Sequence, residues 1–324
     1  MNNCKRNAYM DFLKGIAIVS VIIGHSLSDI AEGRTLFHLI YSFHMPLLMF
    51  ISAYIEEQNR EKYMAGEWQI LLKRACGLLI PYVSWTVLDY VISGQLRKMQ
   101  IKELLFRLFG YKESGLWFFP VLFGLKILHC LYWRAQKRIR KHNLIKDILL
   151  CCLLEIVTAF AALLTKQPYV INMISYMIPY FFAVVIIDNE ILQKVLDSEL
   201  TIAGAFFAYI LIFPLFSFYD TNWTTQVIRI GLSLCVIVIC LKLRENWEMN
   251  RWNEILCLFG ENSLAIYVLH GFFMDYTFYF YLIESRTLIA VVSIVSAFII
   301  AGVCVAIARI IGISSWWRKI LFGK

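Results

Sequence analysis

The chain has 324 residues, of which 60% are hydrophobic and 17% are charged, and its mean hydropathy is +0.66. A soluble domain has about 25% charged residues, whereas a membrane-spanning helix needs roughly 20 apolar residues in a row. Several such runs are present, which excludes a soluble globular protein and predicts an all-α polytopic membrane protein. The net charge of +8 does not indicate nucleic-acid binding, because the basic residues cluster in loops, where they set membrane topology.

The apolar runs predict about ten transmembrane helices in one bundle, with residues 1–324 forming a single membrane domain and no soluble domain. The predicted spans cover about 10–29, 36–56, 71–93, 115–133, 147–164, 169–187, 200–218, 224–243, 255–281 and 287–311. The segment 94–114 contains IKELLFRLFG, whose apolar residues recur at helical spacing, which predicts a helix lying on the membrane surface. We expect the first span to be retained, because no small-residue cleavage site follows it.

The distribution of Lys and Arg favours an orientation with both termini in the cytoplasm. In that orientation most of the 31 basic residues lie on the cytoplasmic side, and the densest group is RAQKRIRKHNLIK, residues 134–146. The basic residues of segment 94–114 fit this orientation if they bind lipid headgroups. We therefore predict a multi-pass protein of a bacterial cytoplasmic or inner membrane.

Ionisable residues occupy both ends of the first predicted span. Asp11 and Lys14 lie at its cytoplasmic end and His25 at its outer end. Lys14 and His25 are eleven residues apart, so they share one helix face and lie roughly 16 Å apart along the axis. Ionisable groups in a membrane helix usually face the protein interior or a wet cavity. The alternative is that Lys14 extends to one membrane surface and His25 lies among headgroups at the other.

Two more histidines occur inside predicted spans. His44 lies in SFHMPLLMF, where a proline two residues later frees backbone carbonyls and predicts an irregular start of the second span. His270 lies in GENSLAIYVLHGFF, where Asn262 or Ser263 is placed to cap a helix, and Tyr267 shares its face three residues earlier. Each histidine is either functional or simply bonded to a neighbouring helix.

Basic and aromatic residues mark two further boundaries. Lys73 and Arg74 open the third span on the cytoplasmic side, where they either set topology or bind phosphate groups. Trp117 opens the fourth span in LWFFPVLFG, a position typical of the aromatic belt of membrane proteins. The nine cysteines form no CxxC pair and the six histidines lack metal-ligand spacing, so no metal is expected.

Five motifs together resemble one enzyme family. In chain order they are YMDFLKGIAIVSVIIGHS, FHMPLLMFISAYI, KRACGLLIPY, LWFFPVLFG and GENSLAIYVLHGFF. They resemble the acyltransferase-3 family of integral membrane acyltransferases, and especially its fucose 4-O-acetylase-like and polysaccharide O-acetyltransferase branch. The resemblance extends from Asp11 to about Phe273. Lys14 stands where the family usually has arginine, and Ala53 stands where it usually has glycine.

The resemblance implies acyl transfer from a cytoplasmic acyl-CoA, acetyl-CoA foremost, to a hydroxyl of a carbohydrate or other acceptor on the outer side. The essential histidine of the family corresponds to His25, which would take the proton of the acceptor hydroxyl. Ser28 and Asp29, three and four residues later, are placed to orient its imidazole, and His44 joins the catalytic set. Direct transfer and a covalent acyl-histidine relay both remain open.

The same resemblance assigns the remaining candidates. Lys14, Lys73 and Arg74 are expected to bind the phosphates of the CoA donor. The candidates for acceptor binding or for a structural polar role are Asp11, Trp117, Tyr267 and His270. The expected partners are membrane lipid, acyl-CoA and a carbohydrate acceptor, without nucleic acid, and the oligomeric state is left open. The alternatives are a transporter or flippase without chemistry, which broken helices would suit equally well, and a membrane-sensing module.

Overall fold

The computed structural model describes residues 7–28, 30–60, 67–92, 101–110, 115–138, 143–218 and 222–323. Within these ranges the regular structure is helical, and no strand occurs. The α-helices are α1 (Ala8–Ser26), α2 (Arg34–Tyr41), α3 (His44–Gln58), α4 (Glu67–Ile92), α5 (Ile101–Leu108), α6 (Phe118–Arg138), α7 (Leu144–Thr165), α8 (Pro168–Asp188), α9 (Glu190–Leu196), α10 (Glu199–Ile212), α11 (Trp223–Leu243), α12 (Arg251–Glu261), α13 (Ser263–Leu269), α14 (Arg286–Ile311) and α15 (Ser315–Phe322). Two 3₁₀ helices cover Phe213–Leu215 and His270–Leu282.

The helices confirm an all-α polytopic membrane protein. Among the described residues, six helical segments are long and apolar enough to cross a membrane, or eight if each of two bent helix pairs forms one span. The segments are Ala8–Ser26, Arg34–Gln58, Leu144–Thr165, Pro168–Asp188, Trp223–Leu243 and Arg286–Ile311. The third and fourth predicted spans are helical too, as α4 and α6, but neither is among these long apolar segments. In α4 the apolar part is the shorter stretch Gly77–Ile92.

Three predicted spans are interrupted. The breaks in the second and ninth lie near Pro46 and at Ser263, where the sequence predicts an irregular start and a new helix, and the break in the seventh was not predicted. The second divides into α2 and α3, because Pro46 has no N–H to donate to the carbonyl of Ser42. The seventh passes from α10 into the 3₁₀ helix around Pro214. Before it, the axes of α9 and α10 are inclined to each other by 68°. The ninth starts a new helix at the predicted Ser263, although the side chain of Asn262 donates back to the carbonyl of Leu258 and does not cap the new helix, and this bend is also 68°.

The contacts divide the chain into two compact units, with the boundary inside α3. The first unit consists of Met1–Ser52 and Glu190–Ile310, and the second of Ala53–Asn189 and Ile311–Lys324. The prediction that residues 1–324 form one membrane domain stays a prediction.

In the first unit, α1 crosses α12 at very short range. A Cβ atom added to Gly15 would lie 2.0 Å from the carbonyl oxygen of Leu256, and one added to Gly260 would lie 1.8 Å from that of Asp11. Glycine is needed at both positions because only a missing side chain allows two helix backbones to approach so closely. This crossing fixes the direction of α1 and therefore the position of His25 at its end.

In the second unit, α4 contacts α5, α6 and α15. The indole N–H of Trp85 on α4 donates to the carbonyl oxygen of Leu321 on α15 at 2.7 Å. The hydroxyl groups of Tyr82 and Tyr169 each lie 3.0 Å from the carbonyl oxygen of Arg107, which they hold at the end of α5. The helix α5 is the helix predicted from IKELLFRLFG, and its position on the membrane surface stays a prediction.

Large apolar side chains remain exposed on several of the long helices. On α7, Ile156 is 66% exposed and Leu163 is 75% exposed, and on α14 Ile299 is 61% exposed. Such surfaces are costly in water but favourable against lipid chains, so they support a membrane environment for these helices.

Candidate active site

The first helix holds its ionisable residues at opposite ends. Asn7 caps the helix by accepting a hydrogen bond from the backbone N–H of Met10 at 3.3 Å. Near this end, the ammonium of Lys14 lies 3.7 Å from a carboxylate oxygen of Asp11, which is buried. His25 lies in the last turn, with its side chain exposed. Lys14 therefore has an acidic partner within its own helix, whereas His25 is accessible.

His25 meets His270, and this is the central feature of the first unit. The centroids of the two imidazole rings are 5.3 Å apart, and the ring planes are inclined by 36°. His270 is the first residue of the 3₁₀ helix that follows α13, and it is only 7% exposed. The pair thus joins one exposed and one buried imidazole from segments about 245 residues apart in the chain.

The backbone fixes the ring of His270. Its Nδ1 lies 3.1 Å from the carbonyl oxygen of Ile266, one helical turn earlier. A carbonyl can only accept, so Nδ1 carries the hydrogen, and Nε2 has the free lone pair when the ring is neutral. The ring of Tyr267 lies 6.1 Å away, in line with the shared face predicted for these two residues. The arrangement fixes both the direction and the tautomer of this imidazole.

His44 is fixed in the same way. It is the first residue of α3 and is 5% exposed, and its Nδ1 donates to the carbonyl oxygen of Ile40 at 2.8 Å. The ring of Tyr41 stands edge-on to it at 4.8 Å. The groups that interact with His44 electrostatically include His25 and Arg229. All three histidines predicted from the motifs therefore belong to one region of the first unit.

A small residue beside His25 allows this grouping. A Cβ atom added to Gly24 would lie 2.8 Å from the ring of Tyr41, the same ring that contacts His44. The hydroxyl of Ser28 donates to the backbone carbonyl of His25 at 3.2 Å. Asp29, the other residue predicted to orient the imidazole, lies outside the described residues. The orienting role of Ser28 and Asp29 stays a prediction.

The basic residues predicted for the donor lie in the second unit and have contrasting surroundings. Lys73 is exposed. The guanidinium of Arg74 lies 2.6 Å from a carboxylate oxygen of Glu56, donates to the sulfur of Cys130 at 3.3 Å, and lies over the ring of Trp133. Arg74 is thus held in place by its neighbours, while Lys73 is free to reach solvent or headgroups.

Trp117, predicted for the aromatic belt or the acceptor site, also belongs to the second unit. Its ring stacks on that of Tyr176 with centroids 5.3 Å apart and an angle of 20° between planes. This contact ties the start of α6 to α8. An acceptor-binding role for Trp117 stays a prediction.

The sequence interpretation missed a buried ionic network around Arg74. It joins α3, α4, α6, α7 and α8 in the second unit. Its acidic members are Glu56, Glu57, Asp147 and Asp188, its permanently cationic members are Arg60, Arg74 and Lys126, and its other polar members are His129, Tyr132, Trp133, Tyr180 and Gln136. A pattern could have revealed it, because Lys126, His129, Trp133 and Gln136 recur at helical spacing on the otherwise apolar α6.

Within the described residues, no group of three or more His, Cys, Asp or Glu side chains could hold a metal ion. The ionisable side chains that the first unit brings together around His25 are imidazoles. A neutral imidazole can take a proton from a hydroxyl group and release it again, which is the requirement of acyl transfer to an alcohol.

Residues 7–309 match the family model of the acyltransferase-3 type, described as an acyltransferase domain. The match includes almost the whole chain, so the protein belongs to this acyltransferase family, and the resemblance of the five motifs is confirmed.

Two curated relatives are both named nodulation protein NolL. The one from Mesorhizobium japonicum is 38% identical over 98 residues, which are 28% of this chain and 25% of that protein. The one from Sinorhizobium fredii is 36% identical over 90 residues, which are 26% of this chain and 24% of that protein. The matched region thus covers about a quarter of the length of these relatives. No solved structure matches the chain.

Proposed function

We propose that this protein is a membrane-embedded O-acetyltransferase, with His25 as the catalytic base. It would move an acetyl group from acetyl-CoA at the cytoplasmic face to a hydroxyl of a carbohydrate acceptor on the outer side. The orientation with both termini in the cytoplasm, which rests on the basic residues of the loops, belongs to this proposal.

The observation that supports it most is the pairing of His25 with His270 in a chain of the acyltransferase family. His25 is accessible for a substrate, whereas the backbone fixes the neighbouring ring of His270. A fixed polar neighbour limits the positions that the His25 ring can adopt. Preorganisation of this kind raises the fraction of encounters in which base and hydroxyl are aligned.

In the proposed reaction the imidazole of His25 takes the proton of the acceptor hydroxyl. The hydroxyl oxygen attacks the carbonyl carbon of the thioester, and the bond between that carbon and the sulfur breaks. The proton passes to the departing CoA thiolate, so the products are an O-acetyl ester and the CoA thiol. No net proton is consumed, and the base is regenerated in each cycle.

On the donor side, we assign Lys73 and Arg74 to the phosphates of CoA. Arg74 presents a guanidinium that is already oriented by Glu56 and Trp133, and Lys73 adds an exposed charge on the same helix. Charge-assisted bonds to phosphate oxygens are about twice as strong as neutral hydrogen bonds. The donor role of Lys14 remains a prediction. In the structure its ammonium lies 3.7 Å from a carboxylate oxygen of Asp11.

The test replaces His25 by Ala and by Gln. Both variants should lower acetylation about 10²–10⁴-fold, equivalent to about 3–5 kcal/mol of barrier, because neither side chain can cycle a proton. The measurement is the acetate released from purified cell-surface polysaccharide, at protein levels matched by blot. Insertion should be unaffected, since the apolar run from Gly15 to Gly24 is unchanged.

A matched control is His38→Gln, which replaces another histidine of the first unit whose ring packs against Phe37 and Phe216. It should leave acetylation within about twofold of the wild type. Near-wild-type acetylation in His25→Gln would remove His25 from the mechanism. Movement of a carbohydrate across the membrane without covalent acetylation would instead favour the transporter hypothesis.

A further inference from the structure

The buried ionic network of the second unit is divided into two halves of opposite charge. One half contains Arg74 and Lys126 around the carboxylate of Glu56, two cations for one anion. In the other half, Arg60 lies between the carboxylates of Glu57 and Asp188, one cation for two anions. His129 stands between the halves. Among the described contacts, the half around Glu56 therefore holds one more cation than carboxylates in a buried place.

The carboxylate of Glu56 spaces the two cations of its half. Arg74 lies 2.6 Å from Oε1 and Lys126 donates to Oε2 at 2.5 Å, so each cation has an oxygen of its own. The side chain of Glu56 is only 2% exposed, while those of Arg74 and Lys126 are 10% and 16% exposed. The anion is thus more deeply enclosed than the two cations that flank it.

The neighbouring contacts hold Glu57, the residue that follows Glu56 in the chain. His129 reaches toward Glu56 with Nδ1 at 3.8 Å, while its Nε2 bonds Glu57 at 2.6 Å. The indole N–H of Trp133 also donates to Glu57 at 2.8 Å. A buried ion pair is costly to break from one side, because the remaining charge is left uncompensated. The two cations consequently keep one spacing whether or not a ligand is present.

From this arrangement we infer that Lys126 and Arg74 form a two-cation site for the phosphates of the CoA donor, and that Glu56 is the positioning residue that spaces them. The inference deepens the proposed function and rests on it. Phosphate oxygens accept charge-assisted bonds from both Arg and Lys, and a site with an excess positive charge favours a dianionic group. If only net charge mattered, removing the negative charge of Glu56 would strengthen the binding of acetyl-CoA. If Glu56 holds the two cations at the right distance from each other, removing its charge weakens that binding.

The experiment measures equilibrium binding of radiolabelled acetyl-CoA and of S-acetylpantetheine to the full chain in detergent. The second compound has the thioester but lacks all phosphates. We expect Lys126→Gln and Glu56→Gln each to weaken acetyl-CoA binding at least tenfold and to leave S-acetylpantetheine binding within twofold. Partial unfolding would lower both affinities by the same factor, so the ratio of the two separates a local effect from a structural one.

Lys137→Gln is the matched control, since it is the same substitution at an exposed position of the same helix. It should leave both affinities unchanged. If Glu56→Gln fails to fold because it leaves two buried cations without their carboxylate, the double variant Glu56→Gln/Lys126→Gln leaves only one of them and should still lose the preference for acetyl-CoA.

The outcomes separate this inference from the function on which it rests. If the wild type binds acetyl-CoA and Lys126→Gln binds it equally well, the two-cation site is overturned and the acetyltransferase proposal stands. Tighter acetyl-CoA binding by Glu56→Gln would overturn the positioning role. If the wild type binds neither compound, the donor itself is wrong, and the proposed function fails with the inference.

Discussion

The two units present their ionisable side chains in opposite ways. In the first, His25 is exposed, and its described ring neighbour is the imidazole of His270, 5.3 Å away. In the second, Glu57 is fully enclosed and bonded to Arg60, His129 and Trp133. The first arrangement leaves an imidazole available for a substrate, and the second pairs the charge of Glu57 inside the protein.

This difference separates two reasons for placing polar groups in membrane helices. An accessible group with few protein partners retains its hydrogen-bonding capacity for a ligand, whereas a charge with several buried partners holds helices together. The histidine pair should therefore affect catalysis far more than stability. Glu57, by contrast, should affect stability first, and activity only through stability.

The largest expected effect on stability comes from Glu57→Leu. Removal of this carboxylate leaves Arg60 and His129 without a main buried partner, and breaking a buried pair from one side costs about 3–5 kcal/mol. The measurement is thermal unfolding of the detergent-solubilised full chain.

A suitable control is Glu155→Leu on α7, a half-buried carboxylate that makes no ion pair among the described residues. It should be neutral or slightly stabilising, because an apolar side chain replaces a desolvated charge. Equal stability of the two variants would show that the network contributes no more than a single carboxylate, and the contrast between the units would lose its basis.

The sequence predicted the membrane class and the helices well, because apolar runs of about 20 residues leave few alternatives in lipid. It also selected His25, His44 and His270 as candidates, and the structure brings them into one region, while their catalytic roles stay predictions. The distance between His25 and His270 was not predictable, since it depends on the close crossing of α1 and α12 at Gly15 and Gly260. Such a crossing is a tertiary property of residues far apart in the chain.

The ionic network was missed for a related reason. Its members extend from Glu56 to Asp188, and only folding brings them together. Local spacing on α6 was the one available indication, and an isolated lysine in an apolar helix is easily attributed to topology. The breaks at His44 and Ser263 were partly predictable, because proline and capping residues act through the local backbone.

A smaller effect, confined to catalysis, is expected from His270→Asn. The amide nitrogen of Asn can occupy the place of Nδ1 and keep the bond to the carbonyl of Ile266, but the ring beside His25 is lost. We expect acetylation to fall about tenfold, equivalent to about 1.4 kcal/mol, while the unfolding temperature stays near that of the wild type.

The measurements are acetate release from the polysaccharide and thermal unfolding, made on the same preparations. Full activity in His270→Asn would mean that His270 is structural and that His25 acts without it. A large loss of stability would show that His270 mainly stabilises the fold, as the residues of the buried network do. The histidine pair would then not differ from the network in the way proposed here.

The smallest effect is expected from Tyr209→Phe, which removes one neutral hydrogen bond at the break before His44. The hydroxyl of Ser42 donates to the carbonyl of Leu39 at 2.7 Å, so its single hydrogen is committed, and the hydroxyl of Tyr209, 2.9 Å away, must be the donor in their contact. The loss should cost about 1 kcal/mol of stability, well below the cost of Glu57→Leu, because the bond joins uncharged groups. Acetylation should change less than about twofold, since the bond of His44 to Ile40 is intact.

Acetate release and thermal unfolding are compared again, with Tyr279→Phe, an exposed tyrosine of the first unit, as the control. A much larger fall in acetylation than in stability would show that the break between α2 and α3 sets the position of His44 for the reaction. Catalytic geometry in the first unit would then depend on hydrogen bonds well beyond the histidine pair.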